Sequence, residues 1–106
     1  MSLSSSAPRA ALHPAPLTCF SVQTDAEPTT LARVLEVFAL RTLMPTRFHS
    51  VIDHAPEADS AVPRLSVDIQ VAGLAPDAAA AIARKLGAVV GVRSVLTAER
   101  SGVPTA

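Results

Sequence analysis

The sequence predicts an α+β domain of order βαββαβ, with four strands in one antiparallel sheet and two helices on one of its faces. Three observations predict it. Residues 64–72 alternate apolar and polar side chains without a break, as a strand with one covered face does. Residues 28–41 carry apolar side chains at the i, i+3, i+4, i+7 spacing of an amphipathic helix. A β-compatible run lies on each side of that helix, and a second strand–helix–strand unit follows.

In order, Leu17 to Thr24 reads as the first strand, with Phe20 and Val22 alternating against Cys19, Ser21 and Gln23. Asp25-Ala26-Glu27-Pro28 turns the chain into the first helix. Its predicted core stripe is Leu31, Val34, Leu35, Phe38 and Thr42, with Thr29 or Thr30 as the cap. Met44-Pro45 ends it, because proline disfavours a helical conformation in the residue before it. Arg47 to His54 is the second strand, and residues 55–63 form a polar connection.

In the third strand, residues 64–72, Leu65, Val67, Ile69 and Val71 share one face. Gly73 breaks the strand. Pro76 suits a first helical position, and Asp77 beside it places a negative charge at the positive helix end. The second helix, Asp77 to Leu86, buries Ala79, Ile82, Ala83 and Leu86, with Gly87 as its terminator. Residues 91–99 supply the fourth strand through Val92, Val95 and Leu96, whose facing the pattern leaves open. The arrangement is ferredoxin-like.

At 106 residues the chain makes one domain, assigned to residues 17–99, with a Ser/Ala/Pro-rich tail over 1–16 and a fraying end over 100–106. Nine basic residues balance nine acidic ones, so long-range attraction to nucleic acid or an anionic membrane is not built in. No apolar run approaches the roughly 20 residues that span a bilayer. The single cysteine, Cys19, excludes an internal disulfide and suits a reducing, cytoplasmic setting. With three Phe and no Trp or Tyr, the core is small, and a partner is expected to contribute stability.

No catalytic set stands out. RNA-binding domains of this topology stack bases on aromatic side chains in the central strands. Here the third strand reads Leu-Ser-Val-Asp-Ile-Gln-Val, without a ring. A Cys-x-x-Cys metal loop needs two cysteines. His49, Asp53 and His54 differ in strand parity and scatter, so no metal site is assigned. Cys19 has no base near it in sequence and reads as a small packed side chain.

The segment Thr30-Leu31-x-Arg33-Val34-Leu35, followed by Val37-Phe38, resembles the opening of an ACT domain, a small regulatory module of amino-acid metabolism. Within that group, Pro28-x-Thr30-Leu31-x-Arg33-Val34-Leu35 is similar to the small regulatory subunit of acetolactate synthase, in its short, valine-insensitive, single-domain form. The resemblance spans residue 17 to about residue 98. It implies a non-catalytic subunit of branched-chain amino-acid biosynthesis, homodimeric through sheet edges and bound to a large catalytic subunit. That subunit would carry thiamine diphosphate, magnesium and FAD, with no cofactor on this chain.

The same resemblance puts an amino-acid effector at the turn formed by Asp25, Ala26, Glu27, Thr29, Thr30 and Leu31. Effector-binding members have an Asn and a Gly there, and this chain has Ala26 or Glu27, and Thr29. A side chain at the glycine position narrows the approach to the backbone, and Glu27 opposes an anion. The N–H groups of Thr29, Thr30 and Leu31 remain as possible holders of a carboxylate.

A second candidate surface follows from the helical spacing itself. Arg33, Glu36, Val37, Leu40 and Met44, rimmed by Arg41, fall opposite the core stripe and form a candidate partner interface. Two alternatives accompany the subunit reading. One is a stand-alone sensor of a free amino acid, and the other is an effector-free dimeric interaction module.

Overall fold

A computed structural model describes residues 15–53 and 62–100. The elements are β1 (Leu17–Asp25), α1 (Pro28–Ala39), β2 (Arg47–Asp53), β3 (Arg64–Ala72), α2 (Pro76–Gly87) and β4 (Val92–Arg100). They form one sheet in the order β2-β3-β1-β4, with every neighbouring pair antiparallel. β1 and β2 are therefore parallel to each other with β3 between them, and β3 and β4 flank β1 in the same way. Each helix carries the chain over one intervening strand. Because both crossovers obey the same right-handed rule, both helices lie on one face.

The core is the space between that face and the helices. Phe20 and Val22 of β1, and Leu65, Val67, Ile69 and Val71 of β3, meet Val34, Val37 and Phe38 of α1 and Ala79, Ile82 and Leu86 of α2. The rings of Phe20 and Phe38 meet edge to face, with centroids 5.8 Å apart and planes at 67°. That geometry adds about 0.5–1.5 kcal/mol beyond burial alone. Cys19, Ser21 and Gln23 alternate onto the opposite, open face of β1 and are half-buried.

Three expectations about α1 are corrected. Its core stripe is rotated: Val37, expected outward, is only 8% exposed, whereas Leu35, expected inward, is 43% exposed. Val37 turns inward because α2 packs beside α1 and covers that flank. The cap is not a threonine hydroxyl. Glu27 occupies the N-cap position without a side-chain bond, and Pro28 begins the helix. Thr42, expected on the stripe, instead takes a left-handed φ of 52° while Leu43 N–H donates to Phe38 O at 3.0 Å, which closes the last turn.

In β4, Val92 and Val95 pack against the core, whereas Leu96 is 70% exposed on the open face. The register shifts between Gln23 and Thr24, so residues three apart share a side and simple alternation fails. Arg100 belongs to β4, opposite Leu17. Ala83 is half-buried against the core, and Gly87 is the last residue of α2, with Ala88 as its cap. Of the tail expected over 1–16, residues 1–14 lie outside the described residues, as do His54, most of the following connection and residues 101–106, while Pro16 O accepts from Gly73 N–H at 2.9 Å.

Gly91, expected to open the fourth strand, instead takes φ 100° in the turn just before β4, and a Cβ there would lie 2.6 Å from the Thr30 hydroxyl oxygen. Thr30, buried in the first turn of α1, donates that hydroxyl to Val90 O at 3.3 Å. The start of α1 and the α2–β4 turn are thereby held in direct contact.

Phe38→Ala is expected to cost about 3–5 kcal/mol, and Leu35→Ala about 1 kcal/mol or less. Urea denaturation of both variants checks this rotation of α1, because the sequence-derived stripe predicts comparable large losses. Gly91→Ala is expected to cost about 1–3 kcal/mol, from the positive φ and the clash with Thr30. Its denaturation midpoint should fall with little change in slope.

Candidate functional site

Two places in the fold receive the residues singled out in the sequence. The first is the β1–α1 turn. Its backbone is tied down on both sides: Asp25 N–H donates to Gly91 O, and Ala26 N–H donates to Pro63 O, each at 2.9 Å. Beside the turn, a cleft of about 620 Å³ is lined by Ala26, Glu27, Pro28, Leu31, Ser50, Ile52 and Leu65. Phe48, Ser50 and Ile52 of β2 face the helix side because they pair with the inward Ile69, Val67 and Leu65 of β3. The edge strand therefore walls the cleft. Its surface is mainly apolar, and the Glu27 carboxylate is the only formal charge among the lining residues.

Of the six turn residues, Ala26, Glu27 and Leu31 line this cleft. Asp25 turns to β4, where its carboxylate accepts from Arg93 Nε at 3.0 Å. Thr30 is committed to Val90 and Gly91. Thr29 is exposed but does not line the cleft. Leu31 N–H is not available to a ligand, because it donates to Glu27 O at 3.1 Å, the first bond of the helix. Pro28 has no N–H, so the amides of Thr29 and Thr30 are what α1 can offer a carboxylate.

The second place lies between the helices. Arg33, Glu36, Val37, Leu40 and Arg41 of α1 and its C-terminal turn face Lys85, Ala88, Val89 and Val90, at the end of α2, across a groove of about 360 Å³. Leu40 is 74% exposed, and Met44, beyond the groove, is 83% exposed. Val37 forms no outward patch and sits at the inner wall. Lys85 and Val90 were missed because they lie some fifty residues further along the chain. Only the packing of α1 beside α2 brings them near Leu40. Ser50, Ile52 and Leu65 escaped notice at the cleft for the same reason, although the β2–β3 register puts Ile52 opposite Leu65.

Among the described residues, no group of three or more His, Cys, Asp or Glu side chains could hold a metal ion. No described helix is long and apolar enough to cross a membrane. His49 stands opposite Asp68 on the open face of the sheet.

The fold recurs in solved structures at low sequence identity. An uncharacterized protein of Thermotoga maritima superposes with a TM-score of 0.50 and 17% identity, covering 78% of this chain and 94% of that one. The C-terminal domain of the MgtC protein of Mycobacterium tuberculosis superposes with a TM-score of 0.56 and 12% identity, covering 87% of this chain and 95% of that domain. A search of curated proteins finds none that matches the sequence. Residues 14–101 match the ACT-like domain family, which suggests a regulatory or ligand-binding role. With the β2-β3-β1-β4 sheet and both helices on one face, the chain belongs to the ACT-like domain family.

Proposed function

We propose that the chain is a non-catalytic regulatory subunit, similar to the small subunit of acetolactate synthase. In this reading it acts in branched-chain amino-acid biosynthesis by binding a catalytic large subunit. The observation that carries the reading is the apolar surface left at the end of α1. Leu40 and Met44 are large and exposed, and Leu40 shares its groove with Arg33 and Arg41, the composition of a protein-binding patch with a charged rim. Thiamine diphosphate, magnesium and FAD belong on the partner in this reading, and the chain works in the cytoplasm.

A homodimer forms along β2 in the same proposal. β2 is an edge strand with one side unpaired in the sheet, and its Val51 and Ile52 are exposed. Pairing two such edges satisfies backbone groups and covers apolar surface in one step.

The cleft at the turn favours a second reading, an amino-acid sensor. Its apolar wall of Leu31, Ile52 and Leu65 suits an aliphatic side chain, while Glu27 suits the ammonium group. A cleft walled by the edge strand would lie at the seam of a β2-joined dimer, so ligand and assembly would be linked.

The tagged chain is expected to recover a stoichiometric thiamine-dependent synthase subunit from extract of its native cells, identified by mass spectrometry. Leu40→Asp, with an unchanged circular-dichroism melt, is expected to lower that recovery about tenfold. Recovery of the chain alone, as a homodimer, would remove the subunit reading. Calorimetric titration of the full chain with valine, leucine and isoleucine tests the sensor. Saturable heat with a 1:1 or 1:2 endpoint per chain supports it, and flat isotherms up to about 1 mM, a span of about 4 kcal/mol in binding energy, count against it.

A further inference from the structure

We propose that the groove between the two helices receives an acid-flanked apolar segment of a partner protein. The inference deepens the partner-binding reading and rests on it only in taking the occupant to be a protein. The groove combines contributions that the sequence separates widely. Its apolar centre is Leu40, from the end of α1, and Val90, in the turn after α2 and 84% exposed. Around that centre stand Arg33, Arg41 and Lys85 against the single acid Glu36, three cations to one anion. The whole chain carries nine of each sign, so positive charge is concentrated here against a neutral background.

The groove is held in shape before anything enters it. Leu40 N–H donates to Glu36 O at 2.9 Å, and Arg41 Nη1 donates to Val37 O at 3.1 Å. Val90 is fixed by its carbonyl, which accepts the Thr30 hydroxyl. A backbone already fixed beneath the apolar side chains lowers the ordering cost of association. The basic rim then selects the partner's chemistry. Carboxylates on either side of one or two large apolar side chains would meet Arg33, Arg41 and Lys85, while a basic partner would be repelled. A short amphipathic helix satisfies both demands, with its apolar residues at i and i+3 or i+4. Among the lining residues no aromatic ring is available to stack a base, which disfavours a nucleic-acid strand as occupant.

The test uses the full chain in its native cells, with a benzophenone amino acid in place of Val90 and, as a control on the open sheet face, in place of Leu96. Cross-linking at position 90 is expected to exceed that at 96 by about tenfold. The captured peptide, sequenced by mass spectrometry, is expected to hold at least two carboxylates around its apolar residues. Arg33→Glu with Lys85→Glu, both on exposed side chains, should cut the yield about tenfold, and acid-to-lysine changes in the captured peptide should restore it.

The proposal is overturned by yield at 90 no higher than at 96, or by an unchanged yield after charge reversal. It is equally overturned if position 90 cross-links only a second copy of this chain or a segment without acids. Co-sedimentation of the purified chain with phosphatidylglycerol vesicles, abolished by the same charge reversal, would assign the groove to a lipid surface and overturn it too. An acid-flanked segment from a protein other than a thiamine-dependent synthase would uphold the groove and remove the acetolactate synthase reading. Recovery of the synthase without cross-linking at 90 would do the reverse.

Discussion

Everything in this domain depends on the buried face of β1. The strand is paired on both sides, with β3 and with β4, and its inward residues Thr18, Phe20, Val22 and Thr24 are all buried. Phe20 sits beneath both helices in the core cluster and meets Phe38 edge to face. In a chain with three aromatic residues, joining two of them in one contact concentrates much of the large apolar surface at the centre. Alanines fill much of the α2 surface, so that helix brings little more than Ile82 and Leu86 in the way of bulk. The layer therefore packs tightly over β1 and β3 and leaves the β2 side thinly covered. The cleft and the exposed Ile52 are the consequence.

A second constraint connects the two candidate sites. Thr30 lies one residue before Leu31, which lines the cleft, and its hydroxyl holds the carbonyl of Val90, which lines the groove. Gly91 has no side chain at the point where Thr30 approaches, and the positive φ there favours glycine on its own account. One partly buried hydrogen bond thus ties the first turn of α1 to the α2–β4 turn. A ligand or partner that displaced α1 at either end would have to move this contact, which is the kind of shared element that coupling between sites requires.

Much of the fold was legible because β1 and β3 each carry one uninterrupted alternation. β3 alternates without exception, and the observed burial repeats that alternation residue by residue. The helix α1 was harder for a reason inherent in its composition. Leu31, Val34, Leu35, Val37, Phe38 and Leu40 are apolar over more than half of its circumference, so a 3.6-residue period fits two stripes. Tertiary packing chose between them: α2 covers the Val37 flank and leaves Leu35 at the edge. β4 was ambiguous because the irregularity opposite Gln23 and Thr24 interrupts its parity, and a bulge is set by the neighbouring strand. Gly91, ahead of the valines of β4, did carry a readable signal for a turn. The clash partner Thr30, some sixty residues earlier, did not. At the sites, the local half was visible and the distant half was not, since Ile52, Lys85 and Val90 reach them only through the fold.

The turn also bears on how such a domain can regulate. An effector loop that closes around a free amino acid needs backbone N–H groups turned to the carboxylate and little side-chain bulk around them. Here Pro28 supplies no N–H, Leu31 N–H is spent on Glu27 O, and Glu27 lines the same cleft with its own carboxylate. The carboxylate end of a zwitterion would meet two amides with an anion close by. The aliphatic and ammonium ends meet better complements in Leu31, Ile52 and Glu27. That imbalance favours weak capture by the isolated turn, strengthened only if a second chain across β2 supplies further donors. By contrast, the helical groove presents apolar side chains and net positive charge that are already in place. Physical completeness thus favours the proposed protein-binding reading of the groove over the proposed small-molecule reading of the cleft.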